Sequence, residues 1–176
     1  MAIRILLADD HAIVREGVSY LLAAQPDMVV VGGAETALQA VGLAVQLRPD
    51  IVVMDISLPG LSGIEATRQL LEACPTTRVL ILSMHSSPEH VYQAYAAGAL
   101  GYVLKEAAGT ELVTAVRSVH AGSRYMSSRL PAEVIDRYFH DRKTSSPLQI
   151  LSFRERQVLE LVVEGYSSTE IGTTLS

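Results

Sequence analysis

With 176 residues, 49% of them hydrophobic and 19% charged, the chain has the composition of a folded globular protein, which excludes global disorder. Its length fits one α/β domain of about 120 to 130 residues and leaves a remainder too short for a second domain of that size. The net charge of −5 divides into 8 basic and 12 acidic side chains over residues 1–124 and 6 and 7 over residues 125–176, so neither part is the basic patch that non-specific DNA binding requires.

Met1 to Asp10 reaches acidic residues after a short apolar run, without a basic leader or a small-residue cleavage site, and reads as a first strand. No uncharged apolar stretch reaches the roughly 18 residues of a membrane span, so a soluble protein without membrane contact is expected. Cys74 is the one cysteine, which rules out an internal disulfide and a cysteine-rich metal site and points to a reducing, cytoplasmic compartment. Its expected role is that of a small apolar residue near a helix end.

Short apolar runs alternate with longer amphipathic stretches as far as about residue 121. The pattern predicts strands near 2–8, 28–32, 50–54, 78–82 and 101–104, and helices near 12–24, 35–47, 63–74, 88–97 and 109–121. Runs such as Ile51-Val52-Val53-Met54 and Val79-Leu80-Ile81-Leu82 are apolar without alternation, as expected of strands covered by helices on both faces. Five βα units imply a doubly wound parallel sheet. Ser62 with Glu65 forms a capping box, Ser87 precedes a proline at a helix start, and Pro59-Gly60 shapes the loop after Asp55. Gly32-Gly33 lacks the third glycine and the first-strand context of a dinucleotide fingerprint.

After Ala121-Gly122 the pattern changes. A short helix is expected from Pro131 to His140 on the spacing of Val134, Ile135 and Tyr138, followed by the polar stretch Asp141 to Pro147, so residues 123–149 read as a partly helical linker. Residues 150–176 hold two further helix starts with capping boxes, Ser152 with Glu155 and Ser167 with Glu170. Between them Val158, Leu161 and Val162 make an apolar face, and Gly165 sits at a helix stop. Two such short helices cannot bury their apolar faces alone.

The functional signal lies at the strand ends: Asp9 and Asp10 after the first, Asp55 after the third, Ser83 at the fourth and Lys105 after the fifth. In an open parallel sheet the carboxyl ends of the strands form the ligand crevice, so these groups make a charged pocket suited to a divalent cation and a phosphoryl group.

The run Pro49 to Gly63, the start Asp9-Asp10-His11, the segment Leu82-Ser83-Met84-His85 and the run Gly98 to Lys105 together resemble the receiver domain of bacterial two-component response regulators. Leu151 to Leu159 followed by Glu164 to Ile171 resembles the opening of the helix-turn-helix domain of the NarL/FixJ, or LuxR-type, subfamily. The two likenesses span about residues 2–121 and 150–175. They imply a flavodoxin-like receiver over residues 1–122, with five parallel strands in the order 2-1-3-4-5, joined to a partial helix-turn-helix over 150–176. In the family a recognition helix follows, and the chain stops at Ser176 before it. The expectation is therefore a truncated DNA-binding domain with no DNA-binding residue in this chain.

By the same resemblance Asp55 is the phosphorylation site, and a carboxylate at a strand end can attack phosphorus when a cation withdraws charge from the incoming group. Asp9, Asp10 and Asp55 close together would raise one another's pKa unless a cation compensates, and Mg²⁺ takes few protein carboxylates while bridging phosphate oxygens. The implied ligands are Asp10, Asp55 and the backbone carbonyl of Ser57, with Asp9 beside them. Helix capping is the alternative role for Asp10. Lys105 is expected to contact the carboxylate and then the phosphoryl oxygen, Ser83 to donate to that oxygen, and Tyr102 to swing inward. His85 is expected to modulate attack of water on the acyl phosphate. A metal role for His11 or His85 is discounted on spacing.

The resemblance implies a sensor histidine kinase as phosphate source, homodimerisation on phosphorylation and promoter binding by the full-length protein only. It implies no conventional enzymatic turnover. Two charged hydrogen bonds at about 1.5–3 kcal/mol each supply about 3–6 kcal/mol, against the ~5.5 kcal/mol that moves a two-state equilibrium from 1:99 to 99:1. The alternatives are a dimerising adaptor without specific DNA binding, and a Mg²⁺-dependent phosphatase with an aspartyl-phosphate intermediate. The latter usually carries a second acid two residues after the nucleophile, where this chain has Ser57.

Overall fold

The computed structural model describes residues 2–133 together with 135, 136, 158, 161, 162 and 172. The elements are β1 (Ile3–Ala8), α1 (Ala12–Ala23), β2 (Met28–Ala34), α2 (Ala37–Leu47), β3 (Ile51–Met54), α3 (Gly63–Ala73), β4 (Arg78–Ser83), α4 (Pro88–Ala96), β5 (Gly101–Leu104), a 3₁₀ turn at Lys105–Ala107, α5 (Ala108–His120) and β6 (Tyr125–Met126). All pairings are parallel, in the order β2-β1-β3-β4-β5-β6. This is the expected doubly wound sheet, in the expected order for its first five strands. Its sixth strand was read from the sequence as linker, so the sheet continues past residue 122.

Both faces of the sheet are covered, as the unbroken apolar runs require. Ile3, Ile5, Leu7, Val53, Leu80 and Val103 pack with Val18 and Leu22 of α1 and Leu112, Val116 and Val119 of α5. The alternate residues Leu6, Val52, Met54, Val79 and Ile81 are equally buried and point to the other face by the period of two along a strand. Local chemistry sets the helix ends. The hydroxyls of Thr36, Ser62 and Ser87 accept the backbone N–H three residues on, and Pro88 opens α4. The capping box at Ser62 is only half formed, because the Glu65 carboxylate is engaged by Arg68 at 2.7 Å. Cys74 is buried at the end of α3. No helix among the described residues is long and apolar enough to cross a membrane.

The chain divides into two units, Met1–Tyr138 and Phe139–Ser176. In the first, Ala132, Glu133, Ile135 and Asp136 are helical and Ile135 is buried, as the spacing predicts, while Val134 and Tyr138 lie outside the described residues. In the second, Val158, Leu161, Val162 and Gly172 are helical, with both valines exposed. The predicted caps at Ser152, Glu155, Ser167 and Glu170 and the stop at Gly165 lie outside the described residues.

Candidate functional site

Because every strand runs the same way and Ala8 is in register with Met54, the residues that follow β1 and β3 emerge side by side. Asp9 is fixed on several sides. Its N–H donates to Ala34 O at 3.1 Å, its Oδ1 accepts the His11 N–H at 2.9 Å, and its carbonyl accepts Arg15 Nη1 at 2.6 Å. Arg15 also reaches Glu35 at 2.7 Å, tying α1 to the start of α2. Asp10 is exposed and pairs with His11 Nδ1 at 2.8 Å. His11 itself occupies the N-cap of α1 without a side-chain cap, so the capping alternative for Asp10 is not what the fold uses.

Asp55 is buried at the end of β3, its N–H donating to Ala8 O at 2.8 Å. The loop after it folds back so tightly that Gly63 at the start of α3 lies against it, its N–H donating to Ile56 O at 2.9 Å. A Cβ at Gly63 would stand 1.8 Å from the Asp55 carbonyl oxygen, a distance no side chain can occupy.

Lys105, after β5, completes the constellation. Its Nζ lies 2.8 Å from Asp55 Oδ2 and 2.7 Å from Asp9 Oδ2. Burial disfavours the ammonium, but the hydrogen bonds and charges of Asp55 and Asp9 outweigh it and raise the lysine pKa. One ammonium thus faces two buried carboxylates. Asp9 Oδ2 is buried, with the Lys105 ammonium 2.7 Å away as its charged neighbour. A buried carboxylate oxygen grouped with those of Asp10 and Asp55 suits a hard cation, which takes carboxylate oxygens. Asp9, Asp10, His11 and Asp55 offer donor atoms all within 4.8 Å of one another. The spacing argument against His11 therefore fails, because the chain turns at the start of α1 and brings its Nδ1 back to the carboxylates. His85 is not in that group.

The remaining predicted residues lie on β4, β5 and their loops. Ser83 is fully buried, its hydroxyl accepting the His85 N–H at 3.1 Å. Tyr102 is also fully buried, so its ring already points inward, and its hydroxyl donates to His85 O at 2.7 Å. Burial pushes its phenol pKa well up, opposed by a hydrogen bond with Ser83. Ser57 is exposed, with Oγ 3.1 Å from His85 Nε2. Sequence reasoning missed Arg15, Gly63 as a spacing requirement, and His90, whose ring stacks on His85. Arg15 carried a usable signal: it lies one helical turn after His11, over the end of β1.

A family model described as the response regulator receiver domain matches residues 5–117. The oxygen regulatory protein NreC of Staphylococcus carnosus is 37% identical over 178 residues, covering 98% of this chain and 82% of that protein. The transcriptional regulatory protein LiaR of Bacillus subtilis is 37% identical over 173 residues, with the same coverages. Among solved structures, a LuxR-family two-component response regulator from Aurantimonas sp. aligns with a TM-score of 0.72 at 40% identity, over 82% of this chain and 100% of that one. The signal receiver domain of the putative response regulator NarL from Mycobacterium tuberculosis aligns at 0.65 and 35%, over 69% and 98%.

Proposed function

This chain belongs to the LuxR-family response regulators of two-component systems through its receiver domain, and on that premise we propose that Asp55 accepts a phosphoryl group from a sensor histidine kinase. A carboxylate oxygen of Asp55 forms the O–P bond as the P–N bond to the donor histidine breaks. The observation that carries this reading is the bridge of Lys105 between Asp55 and Asp9. It neutralises part of a buried acidic cluster while keeping a cation beside the oxygens a phosphoryl group would bring.

Mg²⁺ is the proposed cofactor, held by Asp10, Asp55 and the Ser57 carbonyl with Asp9 alongside; when bound it withdraws charge from the phosphoryl oxygens. Lys105 offers the second positive charge to those oxygens, and Ser83 a hydroxyl. Tyr102 and His85 report the state of Ser83 to β5 and the neighbouring loop. Each chain takes one phosphoryl group and releases it to water, so sustained turnover of an aryl phosphate is not expected. The proposal extends to a cytoplasmic protein that homodimerises on phosphorylation, with promoter binding assigned to the helix-turn-helix part of the full-length protein.

Incubation with acetyl phosphate and Mg²⁺ is expected to add one phosphoryl group to the chain, detectable by mass, and Asp55→Asn to abolish it. Undiminished label on the variant would refute Asp55 as acceptor.

A further inference from the structure

His85 is held from several directions. Its N–H reaches Ser83, its carbonyl is taken by Tyr102, and its Nε2 lies 3.1 Å from Ser57 Oγ. The face of its ring lies on that of His90, with 4.4 Å between centroids and 10° between planes. His90 is anchored in turn by Ser87, the residue that caps α4: its Nδ1 lies 2.6 Å from the Ser87 hydroxyl. Burial, with the neighbouring His85 acting in the same direction, lowers the His90 pKa to about 4, so its ring stacks as a neutral imidazole. Two imidazolium rings at this distance would repel.

Ser57 follows the end of β3 by a few residues and His85 follows the end of β4, and these two strands are neighbours in the sheet. The Ser57–His85 contact therefore bridges the crevice next to Asp55. We propose that His90 is a positioning residue that clamps the His85 imidazole against Ser57, making it a cover that slows attack of water on phosphorylated Asp55. The inference rests on the phosphoacceptor reading above and on the modulating role expected of His85, and adds to them the residue that fixes the His85 ring. A ring pinned on one face by a stack and at Nε2 by a hydroxyl is placed as a barrier. It is not free to turn and act as a base.

Loss of an aromatic stack should change occupancy of the pinned position roughly 2- to 12-fold. The full chain is labelled with acetyl phosphate and Mg²⁺, the donor is removed and loss of label is followed. His90→Ala is expected to shorten the half-life by a factor in that range, whereas His90→Phe, which keeps a flat ring on His85, restores it to near the wild-type value. Wild-type or slower decay in His90→Ala, or His90→Phe decaying as fast as His90→Ala, would overturn the clamp. NMR of the His85 ring in the unphosphorylated protein gives an independent reading: His90→Ala is expected to move its ring resonances toward those of a freely rotating imidazole and His90→Phe to leave them ordered. Failure of the wild type to take any label would sink the phosphoacceptor reading instead, and unmoved His85 resonances in His90→Ala would sink the clamp by itself.

Discussion

The backbone N–H of Ser127 donates to the carbonyl oxygen of Tyr102 at 2.8 Å, so the residue whose hydroxyl holds the His85 loop also holds the chain leaving the sheet. This bond belongs to the short parallel strand β6 on the outer edge of β5. Tyr95 of α4 adds a hydrogen bond from its hydroxyl to Tyr125 O at 2.7 Å, and Arg124 lies over its ring. The segment that leads toward the C-terminal unit is thus joined to α4 and β5.

The same segment is fastened to α5 by Glu111, which predicts a measurable loss when that carboxylate is neutralised. Glu111 accepts from Ser127 Oγ at 2.6 Å, Ser128 Oγ at 2.5 Å and Ser128 N at 3.2 Å. Burial alone would raise its pKa, but these bonds outweigh it and hold the carboxyl below the ordinary value of 4.5. Glu111→Gln is expected to cost about 1–2 kcal/mol at pH 7 in urea denaturation. Because the folded pKa is the lower one, the contribution is present above pH 4.5 and fades as pH falls from there through the folded value. The difference between wild type and variant should therefore shrink in that acid window, and a pH-independent difference would contradict the assignment.

Gly63 predicts a steric requirement. Gly63→Ala forces the Asp55 loop or the start of α3 to move, since the added Cβ would overlap the Asp55 carbonyl. We expect destabilisation of about 1–3 kcal/mol or more, together with slower labelling of Asp55 by acetyl phosphate. Full stability and a wild-type labelling rate in the variant would show that the loop yields without consequence.

The acidic cluster predicts stabilisation by metal. Binding to the folded state alone contributes about 2.7 kcal/mol at a ligand concentration 100 times Kd. Added Mg²⁺ should raise the melting temperature, excess chelator should reverse the rise, and Asp10→Ala should remove most of it. An Asp10→Ala protein that gains as much as wild type would exclude Asp10 as a ligand.

Much of the site could be read before the fold was known, because a parallel sheet leaves only one place for residues that follow its strands. The five long strands and five helices fall within two residues of their predicted bounds, and Asp9, Asp55 and Lys105 converge as their positions require. What escaped was decided by contacts that have no sequence period. Tyr125-Met126 forms a strand without an apolar run, drawn in by the open edge of β5 and by Glu111. His11 joins the carboxylates through the turn of the chain into α1, which spacing along the sequence does not reveal. The stacking of His90 on His85 depends on where α4 begins relative to β4, a tertiary fact.

The bridging lysine also bears on biosynthesis. Lys105 lies 50 residues after Asp55, so at a translation speed of roughly 5–20 residues per second the two carboxylates emerge seconds before the ammonium that joins them. A nascent chain therefore holds an unfinished pocket, and under the proposed function competence to receive a phosphoryl group arrives only once the fifth strand has docked.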